Sequence, residues 1–334
     1  MRKGVAVLGA GSFGTCLALL AARSHDVTLW ARDAEMAAEM QSERRNPRYL
    51  SEFVLPDSVR VSADLSDALE GRAIVVCAIP SHGVREVMRA AGPALEPNAI
   101  VVSTVKGIEV ETSLLMHQVL GEVLPERSRS RIVALSGPSF AREVAAGKPT
   151  AVTLACATEA HAVSVQTTLS SALFRCYTHR DIVGVEVGGA LKNVVAIAVG
   201  MSDGLGTGLS ARSALMTRGL HEITRLGIAL GADPLTFLGL SGMGDLILTC
   251  TGDLSRNRSV GLELARGRSL GEIVRGTKEV AEGVRTTYAA CGLAAKLGME
   301  MPIATALRSV LDGQSTPAEA GRRLMSRRLK RERD

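Results

Sequence analysis

The chain has 334 residues, more than the roughly 250 to 300 at which single cores usually stop growing, so two domains are expected. Hydrophobic residues make up 46% and aromatics only 3%, which leaves packing to aliphatic and small side chains and excludes stacked-base recognition of single-stranded nucleic acid as the main role. The net charge of +5 is terminal: Arg322, Arg323, Arg327, Arg328, Lys330, Arg331 and Arg333 crowd into 322–334, and without that tail the 39 basic and 34 acidic residues fall to equal numbers. The tail reads as a solvated helix end, so no specific nucleic-acid partner is expected.

Short β-branched runs alternate with helix-like segments through about residue 180: strands are expected over 4–9, 26–30, 73–79, 99–103, 131–135, 150–155 and 174–178. Continuous apolar strands separated by helices predict a parallel sheet covered on both faces, an α/β doubly wound Rossmann domain over 1–180. After Asp181 the strand signals stop, and an all-helical domain is expected over 181–334. A ligand cleft between the two follows. The first strand runs into GAGSFG, with Gly9, Gly11 and Gly14 in GxGxxG spacing ahead of a helix. Glycines there allow a tight turn and close approach of a pyrophosphate, so a dinucleotide is the expected cofactor, with Ser12 and Phe13 lining it. The second strand ends in Arg32 and Asp33. An arginine suits an adenosine 2′-phosphate and favours NADPH over NADH, whereas Asp33 suits NAD or a helix cap.

Loops at the carboxyl ends of later strands add candidates: 78–82, Lys106 in STVKGIE, and Gly137, Ser139 and Ala141 in LSGPSFARE. The stretch 182–201 is apolar or glycine except for Glu186, Lys192 and Asn193. A lysine there is costly to bury unless it is paired or used, and on a helix Gly188 and Gly189 lie one turn before Lys192 and Asn193, predicting a vacant face beside them. Lys192 is the candidate proton donor and acceptor. Further along, Asp245 and Thr249 share a helical face, and Ser255, Arg256 and Asn257 form a polar turn suited to a phosphate. Six scattered cysteines without CxxC, and histidines without metal spacing, predict reduced thiols and no metal site. The N-terminus enters a strand almost at once and charge interrupts the apolar stretch, so a cytoplasmic protein with no signal peptide and no membrane span is expected.

Taken together, GAGSFGT, STVKGIE, LSGPSFAREV, VEVGGALKNVVAIAVG, GLSGMGDLILTC and SRNR resemble, in order, the motifs of bacterial NAD(P)-dependent glycerol-3-phosphate dehydrogenases, over residues 4 to about 312. That resemblance implies Lys192 as the proton donor and acceptor. It implies substrate contacts from Lys106, Gly137, Ser139, Asp245, Ser255, Arg256 and Asn257, with Asn193 and Asp245 orienting Lys192 and the carbonyl. Cofactor contacts would come from Ser12, Phe13, Arg32, Lys106, Ala141, Arg256, Val280 and Glu282. The implied reaction is reduction of dihydroxyacetone phosphate to sn-glycerol 3-phosphate, a phospholipid precursor, by a homodimer. A β-hydroxyacid dehydrogenase is the nearest enzyme alternative, but its helix typically carries Asn four residues after the lysine, where this chain has Ala196. A non-catalytic NAD(P)-sensing regulator is the other alternative, and the retention of Lys192, Asp245 and Arg256 argues against it.

Overall fold

The computed structural model describes residues 4–275, 281–329, 331 and 332. Among these, eight strands form one sheet: β1 (Gly4–Leu8), β2 (Asp26–Trp30), β3 (Val59–Ser62), β4 (Ile74–Cys77), β5 (Ile100–Ser103), β6 (Ile132–Ser136), β7 (Thr150–Ala155) and β8 (Phe174–His179). Their order is β3-β2-β1-β4-β5-β6-β7-β8, so the chain reverses direction across the sheet between β1 and β4. The crevice above the carboxyl ends of the strands at that switch point is where a doubly wound sheet takes its ligand. Alternate residues of β1 feed opposite cores: Val5 and Val7 pack with Leu17 and Leu29 on one face, Ala6 and Leu8 with Val84 and Met88 on the other.

Two features depart from the expected sheet. β3 has no counterpart among the expected strands: it is a four-residue edge strand, VRVS, too short and too polar to announce itself. β7 runs antiparallel to β6, with Leu135 opposite Leu154, although β8 then pairs parallel with β7. The segment between β6 and β7 carries only the short helix Ala141–Ala145, which packs against the helix of the glycine turn instead of crossing the sheet.

Beyond β8 the described elements are all helical. Asp181 starts the first of these helices by accepting the Gly184 N–H at 2.8 Å, and its second oxygen takes the Asp233 N–H at 3.0 Å and the Thr236 hydroxyl at 2.7 Å. The helix it caps, Ile182–Gly204, is long and apolar enough to span a membrane by composition alone, yet 89% of its most apolar window is buried inside the protein. It is the axis of the helical half, wrapped by Leu209–Ala229, Asp245–Thr251, Arg256–Ala265, Glu282–Lys296 and Pro302–Leu311. The crossing with Arg256–Ala265 is close enough that a Cβ on Gly200 would sit 2.1 Å from the Arg258 carbonyl oxygen. Two carboxylates tie the axis and its neighbours to the sheet half. Glu186 accepts the His117 backbone N–H at 2.9 Å and pairs with its Nδ1, and Glu282 accepts the Ser81 N–H at 3.0 Å and its hydroxyl at 2.6 Å. In the tail, the helix Pro317–Met325 is capped by Thr316 and Glu319, and Arg327 pairs with Glu300.

Candidate active site

The glycine turn is built as its spacing predicts. Gly9 has φ +110°, open only to glycine, and a Cβ on Gly14 would lie 1.8 Å from the Gly9 carbonyl oxygen. Gly11 is different: nothing lies within 4 Å of where its Cβ would be, which leaves the approach to the helix Ser12–Ala21 open. That helix has no side-chain cap, so its first N–H groups are available to a pyrophosphate, and the turn fits a dinucleotide. Ser12 and Phe13 are half-buried at its start, Phe13 packing on the sheet core. At the end of β2, Arg32 is exposed, while Asp33 caps the helix Ala34–Glu43 by accepting the Met36 N–H at 3.1 Å and pairs with Arg48 at 2.9 Å.

Where the helical half meets the strand ends, a buried charge cluster forms. Lys192 is 6% exposed and Asp245 1%. The Lys192 ammonium donates to Asp245 Oδ1 and, at 2.7 Å, to the Thr249 hydroxyl. The other oxygen of Asp245 accepts from Lys106 Nζ at 2.6 Å, and Lys106 also reaches the Gly137 carbonyl at 2.9 Å. Asp245 opens its helix directly after a π-helical turn, Leu240–Gly244, an irregularity that often marks a functional site. Two ammonium groups on one carboxylate outweigh the burial that would raise its pKa, and Asp245 is held below the usual carboxylate range. Burial pulls Lys192 down to about 8, with the Lys106 cation adding to the fall and Asp245 opposing it. A lysine poised there can both give and take a proton near neutral pH.

The vacant face predicted beside Lys192 is not vacant. A Cβ on Gly188 would come within 2.7 Å of the Ser241 carbonyl oxygen, and one on Gly189 within 2.5 Å of the Ser136 hydroxyl. These glycines let the π-turn and the end of β6 close on the axis helix, which delivers Asp245 and Lys106 to Lys192. Among the described residues Asn193 makes no hydrogen bond to Lys192 itself: its Nδ2 donates to the Lys106 carbonyl at 3.1 Å, and its Oδ1 accepts from Asn257 at 2.9 Å. Asn257 in turn accepts the Gly283 N–H at 3.0 Å. Ser255 is the cap of Arg256–Ala265, accepting the Arg258 N–H at 3.2 Å. Of that triplet only Arg256 is exposed, with Glu282 and Tyr49 close enough to act electrostatically on it. Ser139 donates to the Gly137 carbonyl at 2.9 Å, Ala141 starts the helix that packs on the glycine turn, and Val280 lies outside the described residues. Sequence reasoning missed Asn46, Ser81 as the partner of Glu282, and Ser136, whose buried hydroxyl has no hydrogen-bond partner among the described residues. Ser136 lies next to Gly137 in LSGPS and was within reach of the motif; Asn46 carried no signal.

A dinucleotide turn at the switch point of a doubly wound sheet, with a buried lysine of lowered pKa at the interface with a helical half, defines a nicotinamide-dependent dehydrogenase. Family models agree with that class. Residues 4–162 match the N-terminal and residues 181–322 the C-terminal part of NAD-dependent glycerol-3-phosphate dehydrogenase. The chain is 52% identical to glycerol-3-phosphate dehydrogenase (NAD(P)+) of Geobacter sp. (strain M21) over 334 residues, covering 99% of both chains. It is also 52% identical to the enzyme so named from Syntrophotalea carbinolica, over 331 residues and 99% of both. Its structure superposes on the crystal structure of glycerol-3-phosphate dehydrogenase from Coxiella burnetii with a TM-score of 0.92 at 37% identity, covering 98% of this chain and 99% of that one. The chain belongs to the NAD-dependent glycerol-3-phosphate dehydrogenase family.

Proposed function

We propose that the protein reduces dihydroxyacetone phosphate reversibly to sn-glycerol 3-phosphate with NADPH or NADH, supplying the backbone of glycerophospholipids. The observation that carries the mechanism is the Lys192–Asp245–Lys106 cluster beside the dinucleotide crevice. Gly9, Gly11, Ser12, Phe13 and Gly14 hold the cofactor's pyrophosphate side, Arg32 its adenosine, and Ala141, Val280 and Glu282 the remainder. The bound nicotinamide supplies the hydride for C2. Lys192 is the catalytic residue, giving its proton to the C2 oxygen as negative charge develops there and retrieving it in the reverse direction. Asp245 and Thr249 fix the ammonium by two hydrogen bonds, and Lys106, bound to the far oxygen of Asp245, adds a second cation beside the developing charge. Arg256 anchors the substrate phosphate, with Ser255 and Asn257 shaping the turn that carries it and Gly137 and Ser139 closing the opposite wall. Asn193 links these parts, since it bonds to both the Lys106 and the Asn257 segments.

Residues 1–180 serve as the dinucleotide-binding domain and 181–334 as the substrate and catalytic domain. The protein acts in the cytoplasm as a homodimer, for which exposed Leu235 and Leu238, neighbours on one short turn of the helical half, offer apolar contact. The deciding assay follows oxidation of each reduced cofactor on addition of dihydroxyacetone phosphate. Turnover is expected in the wild type and not in Lys192→Ala, which should still bind cofactor. No substrate-dependent turnover with either cofactor would refute the function, and full activity in Lys192→Ala would refute the mechanism.

A further inference from the structure

Asn46 is fully buried, at 0% exposed, and its amide makes four hydrogen bonds. Its Nδ2 donates to the Ala10 carbonyl at 2.9 Å and the Thr15 hydroxyl at 2.8 Å, and its Oδ1 accepts the N–H groups of Arg48 at 3.1 Å and Tyr49 at 3.0 Å. Ala10 belongs to the glycine turn and Thr15 to its helix, so one side chain fastens the loop carrying Arg48 to the phosphate-binding turn. Arg48 meets Asp33 at 2.9 Å. An acid at the end of β2 selects NAD when its oxygens are free to accept from the ribose hydroxyls, and its charge repels a 2′-phosphate. Here one oxygen of Asp33 takes the Met36 N–H and the other takes Arg48, so both are engaged and the charge is countered. Arg32 beside it is exposed and, among the described residues, makes no hydrogen bond or ion pair.

We propose that Arg48, positioned by Asn46, is a cofactor-specificity residue: together with Arg32 it forms a two-arginine clamp for the 2′-phosphate of NADPH and makes NADPH the preferred reductant. The inference rests on the glycine turn being the cofactor site. Two guanidinium groups match a doubly charged phosphate with several N–H donors in fixed forks. The Arg48 side chain is half-exposed at 51% and spends only its Nη2 on Asp33, so its other N–H groups can meet the phosphate while the carboxylate stays countered.

The test measures kcat/KM for NADPH and for NADH, at saturating dihydroxyacetone phosphate, in the wild type, Arg32→Ala, Arg48→Ala and Arg48→Lys. Wild type should favour NADPH. Each alanine variant should lower the NADPH-to-NADH ratio by about ten- to a hundredfold, through KM for NADPH, with Arg48→Lys between. An Arg48→Ala variant that loses both cofactors in proportion, keeping the ratio, would show a merely structural role and overturn the proposal, as would a wild type that prefers NADH. If no dihydroxyacetone phosphate-dependent turnover occurs, the dehydrogenase reading fails separately, and the clamp is judged by nicotinamide fluorescence titration. The same fall in the ratio of affinities supports it, and equal Kd values for NADPH and NADH overturn it.

Discussion

Replacing Asp245 by Asn keeps the shape of the side chain and removes the negative charge that the Lys192 and Lys106 ammonium groups share. Lys192 stands at about 8 with Asp245 present. An opposite charge in contact typically holds a group's pKa by about one to three units, so Asp245→Asn should bring Lys192 down to roughly 5 to 7. Reduction needs the ammonium form. In the wild type kcat/KM for dihydroxyacetone phosphate should be level below about 8 and then fall tenfold per pH unit above it. In the variant that fall begins earlier, and at pH 7.5 the supply of protonated Lys192 shrinks by roughly threefold to two-hundredfold.

Oxidation of glycerol 3-phosphate needs the neutral amine and shows the opposite limb: kcat/KM climbs with pH through about 8 in the wild type and through a lower pH in Asp245→Asn. The assay is initial-rate kinetics in both directions from pH 5.5 to 10, plotted as the variant-to-wild-type ratio so that the titration of the substrate phosphate cancels. A ratio independent of pH, or an inflection that moves upward, would refute the claim that Lys192 is the titrating donor and that Asp245 sets its pKa.

Gly200→Ala would place a methyl group 2.1 Å from the Arg258 carbonyl oxygen, backbone against backbone, so the helix led by Arg256 must shift. A rise of about tenfold or more in KM for dihydroxyacetone phosphate is expected, and an unchanged KM with a normal melting midpoint would contradict the close crossing as the phosphate anchor's support. Glu222, buried among the helices, accepts the N–H groups of Ile303 at 2.9 Å and Ala304 at 3.0 Å, and burial raises its pKa to about 7 despite those bonds. Because the folded chain keeps this proton between about 4.5 and 7 while the unfolded chain has lost it, stability should fall as pH rises through that window. The thermal midpoint should drop between pH 5 and pH 8 by an amount on the order of 5 °C. Glu222→Gln should flatten that slope while lowering the midpoint overall, because one backbone N–H loses its acceptor; an equal slope in both proteins would count against Glu222 as its source.

The glycine turn and the alternation of apolar strands with helices were legible because each is local: Gly9 and Gly14 answer to their own backbone, and a buried parallel strand needs a continuous apolar run. The pairing of Lys192 with Asp245 was legible in part, since a lysine in an apolar helix demands a partner and an acid and a hydroxyl four residues apart supply one. Which groups meet was not. Lys106 reaches Asp245 across 139 positions, and Asn46 reaches Ala10 across 36, through tertiary closure that no periodicity encodes. β3 escaped because an edge strand has one neighbour and little to bury. The direction of β7 escaped because its connection is loop-like and carries no sign of which way the strand turns.

The error over Gly188 and Gly189 is the instructive one, because it changes what tunes the lysine. A vacant face would have left Lys192 to a ligand and to solvent, and its pKa would then depend on what was bound. Instead Gly188 admits the Ser241 carbonyl and Gly189 admits Ser136, and the protein closes to within van der Waals contact on both sides. That closure supplies the desolvation which lowers the Lys192 pKa, and it carries the segments that bring Asp245 and Lys106 into place. A side chain at either glycine would therefore do more than obstruct a site. It would readmit water, and because desolvation is the largest influence on Lys192 and outweighs the opposing pull of Asp245, Lys192 would return toward the ordinary lysine range, too basic to give up its proton readily near neutral pH.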